Sequence, residues 1–190
     1  LVLFSMLAFT QCEKFDNGTK VYDFEHNYAD LNQMQLVGKK IFFDTNLSNP
    51  VGQSCAGCHA PQVDFSDPLH RAFSEGAVPG KFSNRTAPSL GYLSFCPPLH
   101  YDTDDSTYIG GFFLDGRAAS LEDQVHFPML NPVEMNNSNI SAIVKKISQA
   151  DYSTLFKKTF GENIFEDTTA AMQAIAKAVA EFERADQLSP

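Results

Sequence analysis

Two cysteines and a histidine stand within five consecutive residues, Cys55-Ala56-Gly57-Cys58-His59. The C-x-x-C-H spacing is the attachment signature of c-type haem, in which two thiols bond the vinyl groups of one porphyrin and the next imidazole binds the iron. The small Ala56 and Gly57 would let the backbone lie close to the macrocycle. We therefore predict one covalently attached haem c on Cys55 and Cys58, with His59 as the proximal iron ligand.

Two other uses of a cysteine pair are open to this motif. A structural zinc ion takes about four ligands, usually from a second pair of Cys or His residues, and Cys12 and Cys96 do not form such a pair. A thioredoxin-like redox site is expected beside a βαβ pattern, which the sequence does not show. Both alternatives are therefore less favoured than haem.

The composition is that of a globular chain with an acidic surface. With 190 residues, the chain suits one domain or one domain and part of another. The hydrophobic content of 43%, including 17 Phe, is ample for a core. The formal charge of −9 argues against binding to nucleic acid or to anionic membranes, where basic patches supply the affinity. It is compatible with a basic redox partner.

The first 28 residues predict export. Residues 1–12 form an apolar run that ends at Cys12, like the end of a signal or lipoprotein segment, and residues 13–28 read as a polar tether. We expect a periplasmic or otherwise exported protein. Lipid anchoring through Cys12 and a plain cleaved signal peptide both remain open. The chain begins without Met, which suggests a piece of a longer reading frame.

Apolar periodicity predicts a mostly α fold. We expect a helix near residues 29–43, a second that Ser120 caps and Pro128 ends or kinks, a third from 138–139 to 148, and two more at 152–160 and 168–184. No segment has a convincing strand pattern. Residues 60–116 form a long irregular stretch, which is unusual unless it wraps a ligand.

Four segments around the haem motif carry a family resemblance. They are residues 36–48, with Leu36-Val37-Gly38-Lys39-Lys40-Ile41-Phe42-Phe43-Asp44 and Leu47-Ser48; residues 115–124, Asp-Gly-Arg-Ala-Ala-Ser-Leu-Glu-Asp-Gln; residues 131–136, Asn-Pro-Val-Glu-Met-Asn; and residues 180–184, Ala-Glu-Phe-Glu-Arg. In order and spacing they resemble the bacterial diheme cytochrome c peroxidases, which include the MauG-like enzymes. The resemblance covers about residues 29–190.

The resemblance implies a domain plan and an activity. Residues 29–165 would form a cytochrome-c-like domain holding the peroxidatic haem. Residues 166–190 would cross toward a C-terminal domain with a second haem, which this chain lacks. The implied reaction reduces hydrogen peroxide to water with electrons from a donor such as a small cytochrome c or a cupredoxin. A homodimer is compatible with this plan.

The resemblance also implies catalytic roles. Glu134 matches the family's distal acid/base and Gln124 matches the distal glutamine that orients peroxide. A carboxyl in a partly dry haem pocket would have a raised pKa, which suits proton transfer near neutral pH. Taken without the flanking motifs, Glu134 would instead read as a turn residue and Gln124 as part of a helix surface.

Two arginines are candidates for binding haem propionates. The planar guanidinium of Arg117 matches a carboxylate bidentately, but a surface pair with Asp115 or Glu122 is equally open. Arg85 is the weaker candidate.

Three positions depart from the family pattern. After Ser74-Glu75-Gly76, many members carry a histidine that closes the iron; here Ala77 follows, which predicts an open site unless His70 substitutes. Leu114 stands where the family usually has a Trp between the haems. Thr86 replaces an Asn that commonly helps to bind calcium, so a calcium ion is doubtful.

Two other functions are compatible with the motif. A monohaem electron carrier would need a sixth ligand such as a Met, and Met129 and Met135 lie in a suitable window. A MauG-like oxidase of a partner protein is the other. His100 is a weaker ligand candidate, and Cys96 reads as a small buried residue.

Overall fold

The computed structural model describes residues 30–186 and Leu188. The predicted export segment, Cys12 and the tether therefore lie outside the described residues. The described helices are α1 (Gln33–Phe43), α2 (Cys55–Cys58), α3 (Leu121–Leu130), α4 (Ile140–Ser148), α5 (Ser153–Phe160) and α6 (Thr168–Glu183), and the strands are β1 (His100–Asp102) and β2 (Thr107–Ile109). Short 3₁₀ turns lie at Thr45–Leu47, Pro61–Val63, Leu93–Phe95 and Ile164–Glu166. The mostly α fold is confirmed.

The core is built on helix α6, whose inner face is apolar. Helices α1, α3 and α4 all pack against it. Phe42 of α1 and Phe182 of α6 are both fully buried, and their ring centroids lie 5.3 Å apart. Burying an aromatic side chain of this size contributes about 1.5–3 kcal/mol. The predicted apolar stripe of this last helix is thus core.

A glycine sets the distance between α1 and α6. A Cβ atom at Gly38 would overlap the carbonyl oxygen of Ala178 and would lie 2.8 Å from the Cβ of Phe182. The first is a backbone atom of the opposite helix and the second is a Cβ atom fixed to that backbone, so neither can rotate away. The close crossing of the two helices therefore requires glycine here.

We expect Gly38→Ala to lower the free energy of unfolding by about 3 kcal/mol, the upper end of the usual cost of overpacking. Urea denaturation followed by circular dichroism measures the change. Gly91→Ala is the matched control, because the nearest atom to its added Cβ is a single side-chain atom, Ser89 Oγ at 3.2 Å, and no backbone atom lies closer than 3.8 Å. Equal midpoints for the two variants would contradict the close crossing.

Side-chain caps explain where the helices begin. Helix α1 begins at Gln33, later than predicted, because Asn32 accepts a hydrogen bond from Gln35 N–H at 2.9 Å and Gln35 Oε1 accepts one from Asn32 N–H at 3.0 Å. Ser120 and Asn139 cap α3 and α4 as predicted.

Helix α3 does not stop at its proline. Pro128 lies inside the helix, which continues to Leu130 before Asn131 caps it by donating to the Phe127 carbonyl at 3.0 Å. A proline lacks an N–H donor and its ring crowds the carbonyl four residues earlier, yet the helix continues for two residues beyond it. Of the two effects predicted for Pro128, the end of the helix is contradicted, and the kink stays a prediction.

The structure also contains a hairpin that the sequence did not predict. Strands β1 and β2 pair antiparallel, with Tyr101 opposite Tyr108. Each strand has three residues, which is too short to show a period of two. The connecting turn is stabilised by Asp102, whose carboxylate accepts hydrogen bonds from the backbone N–H groups of Asp104 at 2.8 Å and Asp105 at 3.1 Å.

Hydrogen bonds tie the segment after α3 to the segment before the C-x-x-C-H motif. The Asn137 side chain donates to the carbonyl oxygens of Leu47 and Met129, each at 2.8 Å. The Asn49 backbone N–H donates to the Met135 carbonyl at 2.8 Å. These bonds hold residues 131–137 beside residues 47–49. They therefore fix the position of the segment that carries Glu134.

Among the described residues, no helix is long and apolar enough to cross a membrane.

Candidate haem site

A cavity of about 530 Å³ opens beside the C-x-x-C-H motif. Its volume lies within the range of roughly 300–1,000 Å³ that is usual for sites of cofactors and small molecules. Its wall is contributed by α2, α3, α6, the irregular stretch 83–93, the segment 111–117 and the segment 131–135 after α3. Parts of the long irregular region, residues 83–93 and 111–115, thus line this cavity.

The motif itself lies in the cavity wall. Cys55 and Cys58 begin and end the single turn of α2, and both are free thiols. Burial raises the pKa of each thiol, so both are neutral near pH 7. A Cβ on Gly57 would overlap the Gln53 side chain, which explains the small residue at this position.

The ring of His59 is held in one tautomer. Its Nδ1 lies 3.0 Å from the carbonyl oxygens of Phe65 and of Pro88. A carbonyl can only accept, so Nδ1 carries the proton and Nε2 keeps its lone pair for a metal. This is the arrangement that an iron-binding imidazole needs, and it is built by the loops on both sides of the ring.

Glu134 and Gln124 line the same cavity as His59 and the two cysteines. Glu134 lies in the segment after α3, where its carbonyl accepts a hydrogen bond from Ala77 N–H at 2.7 Å. A Cβ on Gly76 would overlap the Val133 carbonyl, so the glycine allows this close approach. The structure therefore brings the two predicted distal residues into the cavity, through two separate chain segments.

The environment of Glu134 favours its protonated form. Burial raises the pKa of its carboxyl, and the Asn131 side chain and the Arg117 charge only partly oppose this. Such a carboxyl can exchange protons closer to neutral pH than an exposed one, as a general acid and base must.

Both candidate arginines reach the cavity, and both contact Asp115. Arg117 Nη1 lies 2.8 Å from Asp115 Oδ1, and Arg85 Nη2 lies 3.0 Å from Asp115 Oδ2. Arg117 also stacks 3.5 Å above the centre of the Phe113 ring. Glu122, the other partner considered for Arg117, pairs instead with Arg184 at 2.6 Å. Arg117 therefore has both its surface pair and a place in the cavity wall.

The other candidate ligands divide between the cavity and the surface. His70 and His100 are exposed and lie outside the cavity wall; His100 Nδ1 contacts the Pro98 carbonyl at 2.9 Å. Met129 is also outside, whereas Met135 lies in the wall. Cys96 is half-buried rather than buried, and its Sγ lies 3.3 Å from the Gly111 carbonyl.

The positions of the family's missing Trp and calcium-binding Asn are also defined. Leu114 is 63% exposed, while Phe112 beside it is buried in the cavity wall. Thr86 Oγ1 donates to the Ala72 carbonyl at 2.9 Å. Among the described residues, no group of three or more His, Cys, Asp or Glu side chains is arranged to hold a metal ion.

Two polar features of the site were missed by the sequence reading. Asp67 is buried, and its charge raises the pKa of the Cys58 thiol. Ser74 Oγ donates to Asp67 at 2.6 Å, and Arg71 forms a 3.0 Å ion pair with it. Burial alone would raise the pKa of Asp67, but these hydrogen bonds hold that pKa well below its usual range.

Glu183 of α6 is the second feature, and it lies in the cavity wall one turn after Val179. An acidic residue on the apolar stripe of a helix was the signal available in the sequence.

These residues fit a c-type haem. The wall offers two neutral thiols, an imidazole with a free Nε2 and guanidinium groups suited to propionates, with apolar Leu90, Leu121 and Val125 around them. A largely apolar wall with a few convergent polar groups is what a cofactor site requires.

Comparison with known proteins gives the same picture. The family model described as di-haem cytochrome c peroxidase matches residues 32–190. The methylamine utilization protein MauG of Paracoccus denitrificans is 36% identical over 162 residues, which are 83% of this chain and 42% of that protein. The cytochrome c peroxidase Ccp of Escherichia coli is 29% identical over 154 residues, 80% of this chain and 28% of that protein.

A solved structure is similar in fold. The diheme peroxidase BthA of Burkholderia thailandensis superposes with a TM-score of 0.78 and 32% identity, over 84% of this chain and 40% of that one. The chain thus spans less than half the length of each of these relatives. The family match over residues 32–190, together with the identity to MauG, shows that this chain belongs to the di-haem cytochrome c peroxidase family.

Proposed function

We propose that this chain forms the peroxidatic haem domain of a diheme peroxidase and reduces hydrogen peroxide to water. The observation that carries the proposal is the meeting of Glu134, Gln124, His59 and the cysteine pair in the wall of one cavity. An electron carrier needs His59 and the two cysteines but has no use for Glu134 and Gln124. The di-haem family and the fit of the cavity both support c-type haem as the cofactor.

A bound haem would be attached by Cys55 and Cys58, ligated by His59, and would supply the redox chemistry. The residues opposite it would manage the protons. Glu134 would take a proton from one peroxide oxygen and return it to the departing oxygen as the O–O bond breaks. Gln124 would hold the peroxide by hydrogen bonding. Overall, one peroxide, two protons and two electrons give two water molecules.

Arg117 and Arg85 would bind the haem propionates. Each already contacts Asp115, so the propionates would join an existing cluster in which a single carboxylate is shared by two guanidinium groups. A propionate would add a second anion to this cluster and could accept hydrogen bonds from a guanidinium group bidentately.

The two electrons would come from a small c-type cytochrome or a cupredoxin, through a second haem in a C-terminal domain. Export to the periplasm would provide the compartment in which such a donor meets the enzyme, and the first 28 residues favour export.

The proposal is tested by a steady-state assay of the haem-loaded protein with hydrogen peroxide and a reduced small cytochrome c or a one-electron dye. We expect peroxide-dependent oxidation of the donor, with two electrons used for each peroxide. Donor oxidation that does not depend on peroxide, or none with either donor, would overturn it.

Two specific observations support second candidates. Met135 lies in the cavity wall, so a His/Met electron carrier remains a competitor. The identity to MauG supports an oxidase that acts on a partner protein. In the same assay, a carrier would exchange electrons with the donor without consuming peroxide. An oxidase would consume peroxide at a rate set by the partner rather than by the small donor.

A further inference from the structure

The carboxyl group of Glu183 is buried in the cavity wall without a hydrogen-bond partner at one oxygen. The residue is the last of α6 and is 4% exposed. Its Oε2 atom is fully buried and makes no hydrogen bond with any described residue. An ionisable group in this state costs free energy unless it is neutral or acquires a partner. The catalytic roles proposed above do not use it.

The charges nearest to Glu183 do not neutralise it. Arg184, its neighbour in sequence, places its guanidinium on Glu122 of α3 at 2.6 and 3.0 Å and within 3.6 Å of Glu181. Glu122 itself opposes ionisation of Glu183. From α2, the half-buried Cys55 thiol is close enough that the charge of Glu183 raises the pKa of Cys55.

We propose that Glu183 is a proton site coupled to the oxidation state of the haem bound in this cavity. The carboxylate takes up one proton from solvent when the haem takes up one electron from a one-electron donor. It releases that proton when the haem gives the electron up. The proton thereby offsets the charge that the electron brings into a largely apolar cavity.

The physical basis is the electrostatic coupling of two charges in a medium of low polarisability. Interaction between charges a few ångströms apart is several times stronger inside a protein than in water. Burial raises the pKa of Glu183 to about 8, with Arg184 opposing the shift and Glu122 adding to it. The oxidised haem carries one more positive charge, so it favours the carboxylate. Reduction removes that charge and favours the protonated acid.

The proposed coupling links the proton of Glu183 to the charge of the haem and does not involve a proton on the iron ligand His59. His59 is already held by the carbonyls of Phe65 and Pro88. Glu134 is the other acidic residue with a raised pKa in the cavity wall, and it lies on a different segment. Any test must therefore separate the protons of these two carboxyls.

The experiment measures the reduction potential of the haem-loaded protein against pH by spectroelectrochemistry. All proteins carry Glu134→Gln, so that Glu134 contributes no proton. We expect the potential to fall as pH rises through the titration range of Glu183, by at most about 59 mV for each tenfold drop in proton concentration, the value for one proton per electron. Adding Glu183→Gln should abolish this slope.

Glu181→Gln is the matched control, because Glu181 lies two residues away on the same helix but is partly exposed. It should keep the slope. An unchanged slope in Glu183→Gln overturns the proposal.

A second measurement needs no change at Glu183. In weakly buffered solution with a pH dye, reduction of the protein with Glu134→Gln should take up close to one proton in that pH range, and no uptake overturns the proposal. Both measurements require only an attached haem, so they can succeed even if peroxide is not the substrate.

Discussion

Replacing Glu134 with Gln is expected to lower the rate of peroxide reduction by about 100- to 10,000-fold, the usual contribution of a general acid/base. The amide fills the same space but cannot accept and return a proton. The haem should stay attached and its ferric spectrum should change little, because Glu134 is not among the residues that would hold the haem. Stopped-flow mixing of the haem-loaded variant with peroxide measures the loss.

The control for this variant is Glu162→Gln, which changes an exposed glutamate outside the cavity wall. Its peroxide rate should equal that of the unmodified protein. If Glu134→Gln retains full turnover, Glu134 has no part in proton transfer and the proposed mechanism is wrong.

The pH dependence of the rate follows from the same residue. In the proposed mechanism, peroxide reduction begins with Glu134 as a base, so the carboxylate would be the active form. Burial raises the pKa of this carboxyl. As pH falls through that raised pKa, the base is lost, and the rate should decline at a higher pH than the usual glutamate value of about 4.3 predicts. The decline should be absent from the residual activity of Glu134→Gln.

Replacing both Cys55 and Cys58 with Ala is expected to abolish covalent attachment of haem. Each thiol would form one bond to the porphyrin, so the single variants should keep one bond and the double variant none. The measurement is the mass of the chain after denaturation. Denaturation releases any haem that is held only by His59 or by packing.

Cys96→Ala is the matched control for this loss. Cys96 also lies in the cavity wall and is also a free thiol, but it stands outside the motif. Its denatured chain should carry the full haem mass. A double Cys55/Cys58 variant that still carried haem covalently would show that attachment uses another residue.

The helices could be predicted because their signals are local. Ser120 and Asn139 stand directly before apolar-periodic segments, and each caps the helix that follows it. The hairpin around residues 100–109 could not be predicted, because three-residue strands are too short to show a period. The effect of Pro128 on the helix was hard to predict for a different reason. It depends on how close the proline lies to the end of the helix, which the sequence alone does not reveal.

The candidate site also combines features that local sequence reveals with features that depend on long-range contacts. The motif residues 55–59 are contiguous, so their shared position was implied by their order. Glu134 and Gln124 were named from a resemblance, and their place in one cavity depends on long-range bonds such as Asn137 to Leu47. The isolation of Glu183 could not be read from its neighbours in the chain. It depends on the pairing of Arg184 with Glu122 across 62 residues.

The peroxidase proposal is tested most directly by the ultraviolet–visible spectrum of the ferric, haem-loaded protein before and after the addition of peroxide. We expect a high-spin spectrum, because Ala77 offers no ligand and His70 lies outside the cavity wall, and a prompt change with peroxide. A low-spin spectrum that peroxide does not alter would mean that a sixth protein ligand, with Met135 the candidate in the wall, closes the iron. That result would contradict the peroxidase assignment and favour an electron carrier.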